Sequence, residues 1–157
     1  MVNFGEIDLH LFGEGRHEEI YKKLGAHLPK VGRTKGVSFA VWAPHARGVN
    51  VVGDFNNWNG NDHQMQRLGN SGVWELFIPG VEPGACYKYA ILSWNRGYRV
   101  NKSDPFAFWS EVRPGNASRV FDLNRYAWGD ERWLARRAEW RVVEWASTRN
   151  PRMKSAS

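Results

Sequence analysis

The sequence has little cysteine and no long apolar run, and each shortage excludes a class of protein. Its single cysteine, Cys86, cannot form an internal disulfide, which argues against a disulfide-stabilised secreted domain. No apolar stretch approaches the ~18 residues that a membrane helix requires. Residues 1–11 lack the basic and apolar regions of a secretory signal. We therefore expect a soluble, cytoplasmic protein that does not contact a membrane.

Motifs for catalysis and metal binding are also missing. The five histidines contain no i, i+4 pair and Cys86 has no CxxC partner, so we expect neither a metal nor a cofactor. There is no nucleophile elbow and no phosphate-binding loop. Hydrolysis or transfer of a glycoside requires two facing carboxylates, and Asp54, Glu75 and Asp104 are better interpreted as solvated or capping side chains. The residues themselves predict no enzyme.

Positive charge and tryptophan are abundant. The chain has 157 residues, the size of one domain. It has a net charge of +6 and nine tryptophans. Basic residues beside aromatic rings suit nucleic acid, whereas a flat indole also covers the C–H face of a sugar ring. The charge lies mostly in the last third, including Arg132 to Arg141, where a solvated helix face is the simpler interpretation. We expect no nucleic-acid partner, and a basic nucleic-acid or scaffold protein is the weakest alternative.

Short alternations of apolar and polar residues predict an antiparallel β-sandwich. The predicted strands are Val37–Ala43, Val49–Gly53, Trp74–Ile78, Cys86–Leu92, Tyr98–Val100 and Arg119–Leu123. A short helix is predicted over Arg16–Leu24, before Gly25. A second helix is predicted from Glu131 to about Trp145, after Asp130 as its N-cap.

A group of polar and aromatic residues falls at the strand ends. Asn57 and Trp58 lie in a turn-rich loop after the second strand, and Lys88 lies between two tyrosines. Trp94 and Tyr98 lie on the next connection. An α-glucan is neutral and rich in hydroxyls, so exposed rings for stacking and Lys or Asn donors would suit it. The alternative for each ring is burial in the core.

Three strings, FAVWAPHA, VVGDFNNW and YKY, occur in an order that resembles the N-terminal region of bacterial glycogen branching enzymes. That region contains a carbohydrate-binding module of family 48. The resemblance runs from about Asp8 to Ala138 and implies an all-β, immunoglobulin-like antiparallel sandwich with a short N-terminal helix and a C-terminal helix. It places a lead segment at 1–28, the module at 29–126, and a C-terminal helix with a divergent basic tail at 127–157.

The resemblance also implies roles for individual residues. Trp58 matches the ring that stacks on glucose, and Lys88 matches the lysine that donates to sugar hydroxyls. Trp94 or Tyr98 is implied as a second ring, and the unusual loop LSWNRGYRVNK leaves that choice open. Asn116 is the nearest polar candidate beside the last strand.

After about Ala138 the resemblance stops, before the α-amylase-family barrel that holds the Asp nucleophile and the Glu acid/base in branching enzymes. We therefore expect a noncatalytic module that binds α-glucan such as glycogen, starch or maltooligosaccharides. The alternative is a truncated branching-enzyme fragment whose module packs on a catalytic barrel domain and binds sugar weakly or not at all. In that case Trp42, Trp74 and Trp94 would be interface or core residues.

Overall fold

A computed structural model describes residues 4–29, 33–94, 97–125, 129, 133 and 135–137. The chain divides into one unit over Met1–Asp122 and another over Leu123–Ser157. The second unit contains a 3₁₀ helix at Leu123–Arg125. Of the helix predicted from Glu131 to about Trp145, Trp133 and residues 135–137 are helical, and the rest lies outside the described residues. The domain boundaries predicted from the sequence remain a prediction.

The first unit is a sandwich of two antiparallel sheets. Its elements are α1 (Glu6–Gly13), a 3₁₀ helix (Ile20–Lys22), β1 (Gly25–His27), β2 (Gly36–Trp42), β3 (Ala46–Gly53), a 3₁₀ helix (Asp54–Asn56), β4 (Gln66–Arg67), β5 (Val73–Pro79), β6 (Cys86–Ser93), β7 (Arg99–Lys102), β8 (Trp109–Ser110) and β9 (Ser118–Arg119). The first sheet has the order β1-β2-β5-β4. The second has the order β3-β6-β9-β8, with β7 also paired to β6. The expected all-β, immunoglobulin-like sandwich is confirmed.

The core lies between the sheets and follows the alternation in the sequence. Phe39 on β2 and Val51 on β3 are fully buried, as are Tyr87 and Tyr89 on β6. The rings of Phe39 and Tyr87 meet edge to face across the two sheets, with centroids 5.0 Å apart, a favoured aromatic arrangement. The four longest strands occur where the period-two pattern predicts them. The predicted last strand is shorter, since β9 ends at Arg119 and only the Val120 N–H continues the pairing, to the Ala85 carbonyl at 3.0 Å.

The predicted N-terminal helix is wrong in position. The α-helix spans Glu6–Gly13, and the predicted segment forms only a turn of 3₁₀ helix. Phe4, Leu9 and Phe12 pack with Ile20 and Leu24 of the predicted segment in one apolar cluster on the outside of the first sheet, so both segments bury apolar side chains there. Gly13 is the last helical residue.

Asp8 ties this N-terminal segment together. Its carboxylate accepts the Gly5 N–H at 2.9 Å, contacts the His17 ring at 3.0 Å and the Lys23 ammonium at 3.2 Å. The Gly5 hydrogen bond first, then His17 and Lys23, lowers the pKa of Asp8 from 3.8 to about 2. A lowered pKa stabilises the folded state above about pH 4, and this contribution disappears as the pH falls toward 2.

We expect Asp8→Asn to lower the free energy of unfolding by about 1–2 kcal/mol at neutral pH. The difference from wild type should shrink as the pH falls from 4 to 2, because the wild-type carboxylate is then protonated. Urea unfolding of both proteins across this range measures it. A difference that stays constant down to pH 2 would contradict the assignment.

Candidate functional site

Lys88 lies on the outer face of the second sheet, which we define as the face opposite the core. Tyr87 and Tyr89, its neighbours on β6, are buried in the core, and successive side chains of a strand point to opposite faces. Leu92 lies four residues further on the same face, and it pairs with Arg99 of β7. Lys88, Leu92 and Arg99 therefore share the outer face.

The loop after β3, residues 54–62, is here named the Trp58 loop, and its first three residues anchor it. Asp54 accepts the Cys86 N–H through Oδ2 at 2.9 Å. The Phe55 ring packs against Phe39, with centroids 6.0 Å apart. These contacts tie the loop to the start of β6 and to the core.

Asn56 completes the anchor. Its Oδ1 accepts the Gly53 N–H at 2.9 Å, and its Nδ2 donates to the Val51 carbonyl at 2.9 Å. The same nitrogen lies 2.9 Å from Nδ1 of His63. A buried amide with every polar atom bonded fixes a single geometry. Much of the string GDFNNW is therefore explained by the architecture of the turn.

The next two residues have an unusual backbone and face solvent. Asn57 and Trp58 both adopt left-handed conformations, with φ of 51° and 59°. Asn tolerates this region, whereas a bulky residue there is a genuine outlier. The Trp58 N–H donates to the Gly53 carbonyl at 3.0 Å, and its side chain is 40% exposed. Burial of Trp58 in the core, the alternative considered from sequence, does not occur.

Lys88 and Asn116 are brought together. The Lys88 ammonium donates to Oδ1 of Asn116, and the Asn116 carbonyl accepts from the Ser103 hydroxyl. The residues are 28 positions apart in the chain, and the pairing of β9 with the start of β6 makes the contact possible. Lysine carries three donors and asparagine two, so this pair can donate further hydrogen bonds to a ligand.

Trp94 and Tyr98 lie apart from Lys88, at the hairpin between β6 and β7. The Ser93 N–H donates to the Tyr98 carbonyl at 2.8 Å, and both rings are exposed, by 69% and 64%. The Arg47 guanidinium lies 5.6 Å from the Trp94 ring centroid. Trp94 lies six positions after Lys88 in the chain, which is about 20 Å along an extended strand. The choice between the two rings stays open.

Arg99 is a residue that sequence reasoning missed. Its Nη1 donates to the Gly60 carbonyl at 3.1 Å and to Oδ1 of Asn61 at 3.2 Å. The partners lie 38 and 39 positions away in the chain, and no local pattern indicates such a contact. Strand β7 is two strand spacings from β3, about 10 Å, so the Trp58 loop must fold over the outer face to reach Arg99. This contact places the loop on the same face as Lys88.

Two of the carboxylates interpreted as solvated or capping are buried. Glu75 is 8% exposed and Asp104 is 7% exposed. Oδ2 of Asp104 accepts from the Tyr87 and Tyr89 hydroxyls at 2.6 and 3.1 Å, and burial raises the pKa of this carboxyl. The predicted turn cap is also present, because Oδ1 accepts the Phe106 N–H at 2.9 Å. Asp104 is a core residue as well as a cap.

In the part of the chain that the structure describes, no cluster of three or more His, Cys, Asp or Glu side chains is arranged to hold a metal ion. In the same residues, no helix has both the length and the apolar character needed to cross a membrane.

Comparison with known families and sequences gives consistent results. Residues 23–107 match the family described as carbohydrate-binding module 48 (isoamylase N-terminal domain). The chain is 58% identical over 137 residues to 1,4-alpha-glucan branching enzyme GlgB of Synechococcus sp. strain JA-2-3B'a(2-13), covering 87% of this chain and 18% of the relative. It is 55% identical over 143 residues to the enzyme of the same name from Myxococcus xanthus, covering 91% and 20%. The chain thus spans about a fifth of the length of these relatives.

Two solved structures contain a similar domain. The crystal structure of PulA from Klebsiella oxytoca aligns with a TM-score of 0.53 and 31% identity, covering 64% of this chain and 10% of that one. Klebsiella pneumoniae pullulanase complexed with maltotriose aligns with a TM-score of 0.51 and 31% identity, over 64% and 10%. In each case the likeness covers a small part of a much longer protein.

Proposed function

The chain belongs to the carbohydrate-binding module 48 family, and we propose that it binds α-glucan on its outer face without catalysing a reaction. The observation that carries the proposal is the exposed Trp58 ring on a loop that Arg99 holds over the face bearing Lys88. The relatives in the comparison are named 1,4-alpha-glucan branching enzymes, which favours an α-1,4-glucan as the ligand.

The chemistry of the site suits a neutral, hydroxyl-rich ligand. The indole of Trp58 can cover the C–H face of a glucose ring. The Lys88 ammonium and the Asn116 amide can donate to sugar hydroxyls. Trp58, with the exposed Asn57 beside it, sits in a backbone conformation that costs about 1–3 kcal/mol. Such strain persists where the surroundings enforce it and is concentrated at ligand sites.

A titration with maltoheptaose, followed by tryptophan fluorescence, tests the proposal. We expect a saturable change whose midpoint hardly moves between low and high salt, because the ligand carries no charge. A nucleic-acid-binding protein would instead lose affinity steeply with salt. No response to maltoheptaose at either salt concentration would overturn the proposal.

A second candidate is a module that packs on a catalytic barrel and binds sugar weakly or not at all. The supporting observation is exposed apolar surface away from the outer face, since Trp42 on the first sheet is 53% exposed beside the Phe12 ring. Trp74, in contrast, is a core residue. This candidate predicts no fluorescence response and self-association through the exposed surface.

Under either candidate we propose a cytoplasmic location, consistent with the single, unpaired Cys86.

Lys88→Met should weaken maltoheptaose binding about 3- to 10-fold, the effect of one or two lost hydrogen bonds. The stem remains, so the packing changes little. Lys102→Met is the matched control, because it removes the same charge from a different face. Lys102 lies on β7 opposite Tyr89, whose side chain points away from the outer face. We expect the control to bind as wild type does. Isothermal titration measures both, and equal affinities for the two variants would remove Lys88 from the site.

A further inference from the structure

The contact between Arg99 and the Trp58 loop joins two parts of the molecule that the strand pairing does not connect. Arg99 belongs to β7, which pairs only with β6 among the described strands. The loop leaves the end of β3 and returns beside it, where Val51 N–H donates to the His63 carbonyl and Met65 N–H to the Val49 carbonyl. A single guanidinium nitrogen links them through Gly60 and Asn61.

We infer that Arg99 is a positioning residue, which holds the Trp58 ring over the outer face so that one ligand reaches both Trp58 and Lys88. This inference rests on the proposed glucan binding. The loop is anchored at one end by Asp54 and Asn56. At the other end, Asn50 Nδ2 donates to the Asp62 carbonyl at 3.0 Å, and Arg99 holds the stretch between, at Gly60 and Asn61. A loop fixed on both sides of its ring loses less conformational entropy when a ligand binds.

Gly60 lies at the contact between Arg99 and the Trp58 loop. A Cβ built on Gly60 would lie 2.9 Å from Nη1 of Arg99, too close for an unshifted contact. Its backbone is not in the left-handed region that other residues avoid. Gly60→Ala should therefore displace the guanidinium, while alanine can still adopt the backbone conformation of Gly60. The contact can thus be broken from either side.

The experiment compares Arg99→Met, Gly60→Ala and the double variant with wild type and with Lys102→Met as control. Maltoheptaose affinity and the exchange of the Trp58 and Asn59 amide hydrogens in the unliganded protein are measured. Both amides donate to backbone carbonyls at 3.0 Å, so their exchange reports the order of the loop. Arg99 is exposed, so its replacement should leave the core intact.

We expect Arg99→Met and Gly60→Ala each to weaken binding about 3- to 10-fold and to accelerate exchange at both amides. The double variant should be no weaker than Arg99→Met, because both substitutions remove the same contact. Weaker binding with unchanged exchange would show that Arg99 contacts the ligand directly and would overturn the positioning role. Wild-type affinity in Arg99→Met would also overturn it, with glucan binding intact. Absence of binding by wild type would instead reject the proposed function.

Discussion

Replacing Trp58 with alanine is expected to weaken maltoheptaose binding about 10- to 100-fold, on the scale of one lost stacking ring. The 40% exposure of the side chain places the ring within reach of a ligand. The fold should survive, because the turn is anchored by Asp54 and Asn56 rather than by the indole. Fluorescence of the remaining tryptophans and calorimetric titration measure the loss.

Two further variants sharpen this test. Trp42→Ala removes an indole of the first sheet that is even more exposed, by 53% against 40% for Trp58, and it should bind maltoheptaose as wild type does. Trp58→Gly also removes the ring, but it relieves the left-handed backbone strain at φ 59°. We expect it to lose binding while unfolding at the same or a higher denaturant concentration. Equal losses from Trp42→Ala and Trp58→Ala would contradict a glucan site centred on the Trp58 loop.

Asp104→Ala is expected to lower the free energy of unfolding by about 3–5 kcal/mol. The substitution leaves two buried tyrosine hydroxyls, of Tyr87 and Tyr89, without their shared acceptor. It also removes the acceptor for the Phe106 N–H. Chemical denaturation at neutral pH measures the effect. If the interpretation is correct, adding Tyr87→Phe and Tyr89→Phe recovers part of the loss, because the stranded hydroxyls are then absent. A triple variant less stable than Asp104→Ala would contradict it.

The pH dependence at Asp104 has the opposite sign to that at Asp8. Burial, the largest effect, raises the pKa of Asp104 above the ordinary 3.8. The folded state therefore binds the proton more tightly than the unfolded state. Its contribution is fully present below about pH 4 and is lost as the pH rises through the raised pKa. Asp8 loses its contribution as the pH falls from 4 toward 2. Replacing Asp8 or Asp104 alone therefore isolates one of these two opposite pH dependences of the free energy of unfolding.

The sheet was predictable from sequence because its signal is local. Val37, Phe39 and Val41 occupy alternate positions of β2, and all three pack in the core between the sheets, as a period of two requires. The position of the helix was not predictable, because Leu9 of the Glu6–Gly13 helix and Leu24 of the later segment both pack in one cluster on a sheet formed later in the chain. Local propensity gives way to such tertiary contacts.

The candidate site divides in the same way. Turn residues favoured an exposed ring at Trp58 while leaving burial open, and strand alternation placed Lys88 on the face opposite its tyrosine neighbours. The burial of Asp104 did not, since an Asp-Pro turn is usually exposed and the two tyrosine partners lie 15 and 17 residues away. Arg99 was also missed, because Gly60 is 39 positions away in the chain and comes near Arg99 only when the loop folds over the sheet.

The amide of Asn56 has no freedom to rotate, because the Gly53 N–H requires an oxygen and the Val51 carbonyl requires a donor. It therefore presents N–H to the His63 ring, so Nδ1 is the acceptor and the neutral imidazole carries its proton on Nε2. Position 63 also has a φ of 53°. A replacement for His63 must therefore accept the Asn56 N–H and tolerate a positive φ. Asparagine at position 63 would do both, whereas lysine or arginine would supply no acceptor. The tautomer of one imidazole is thus fixed by the same turn that presents the indole.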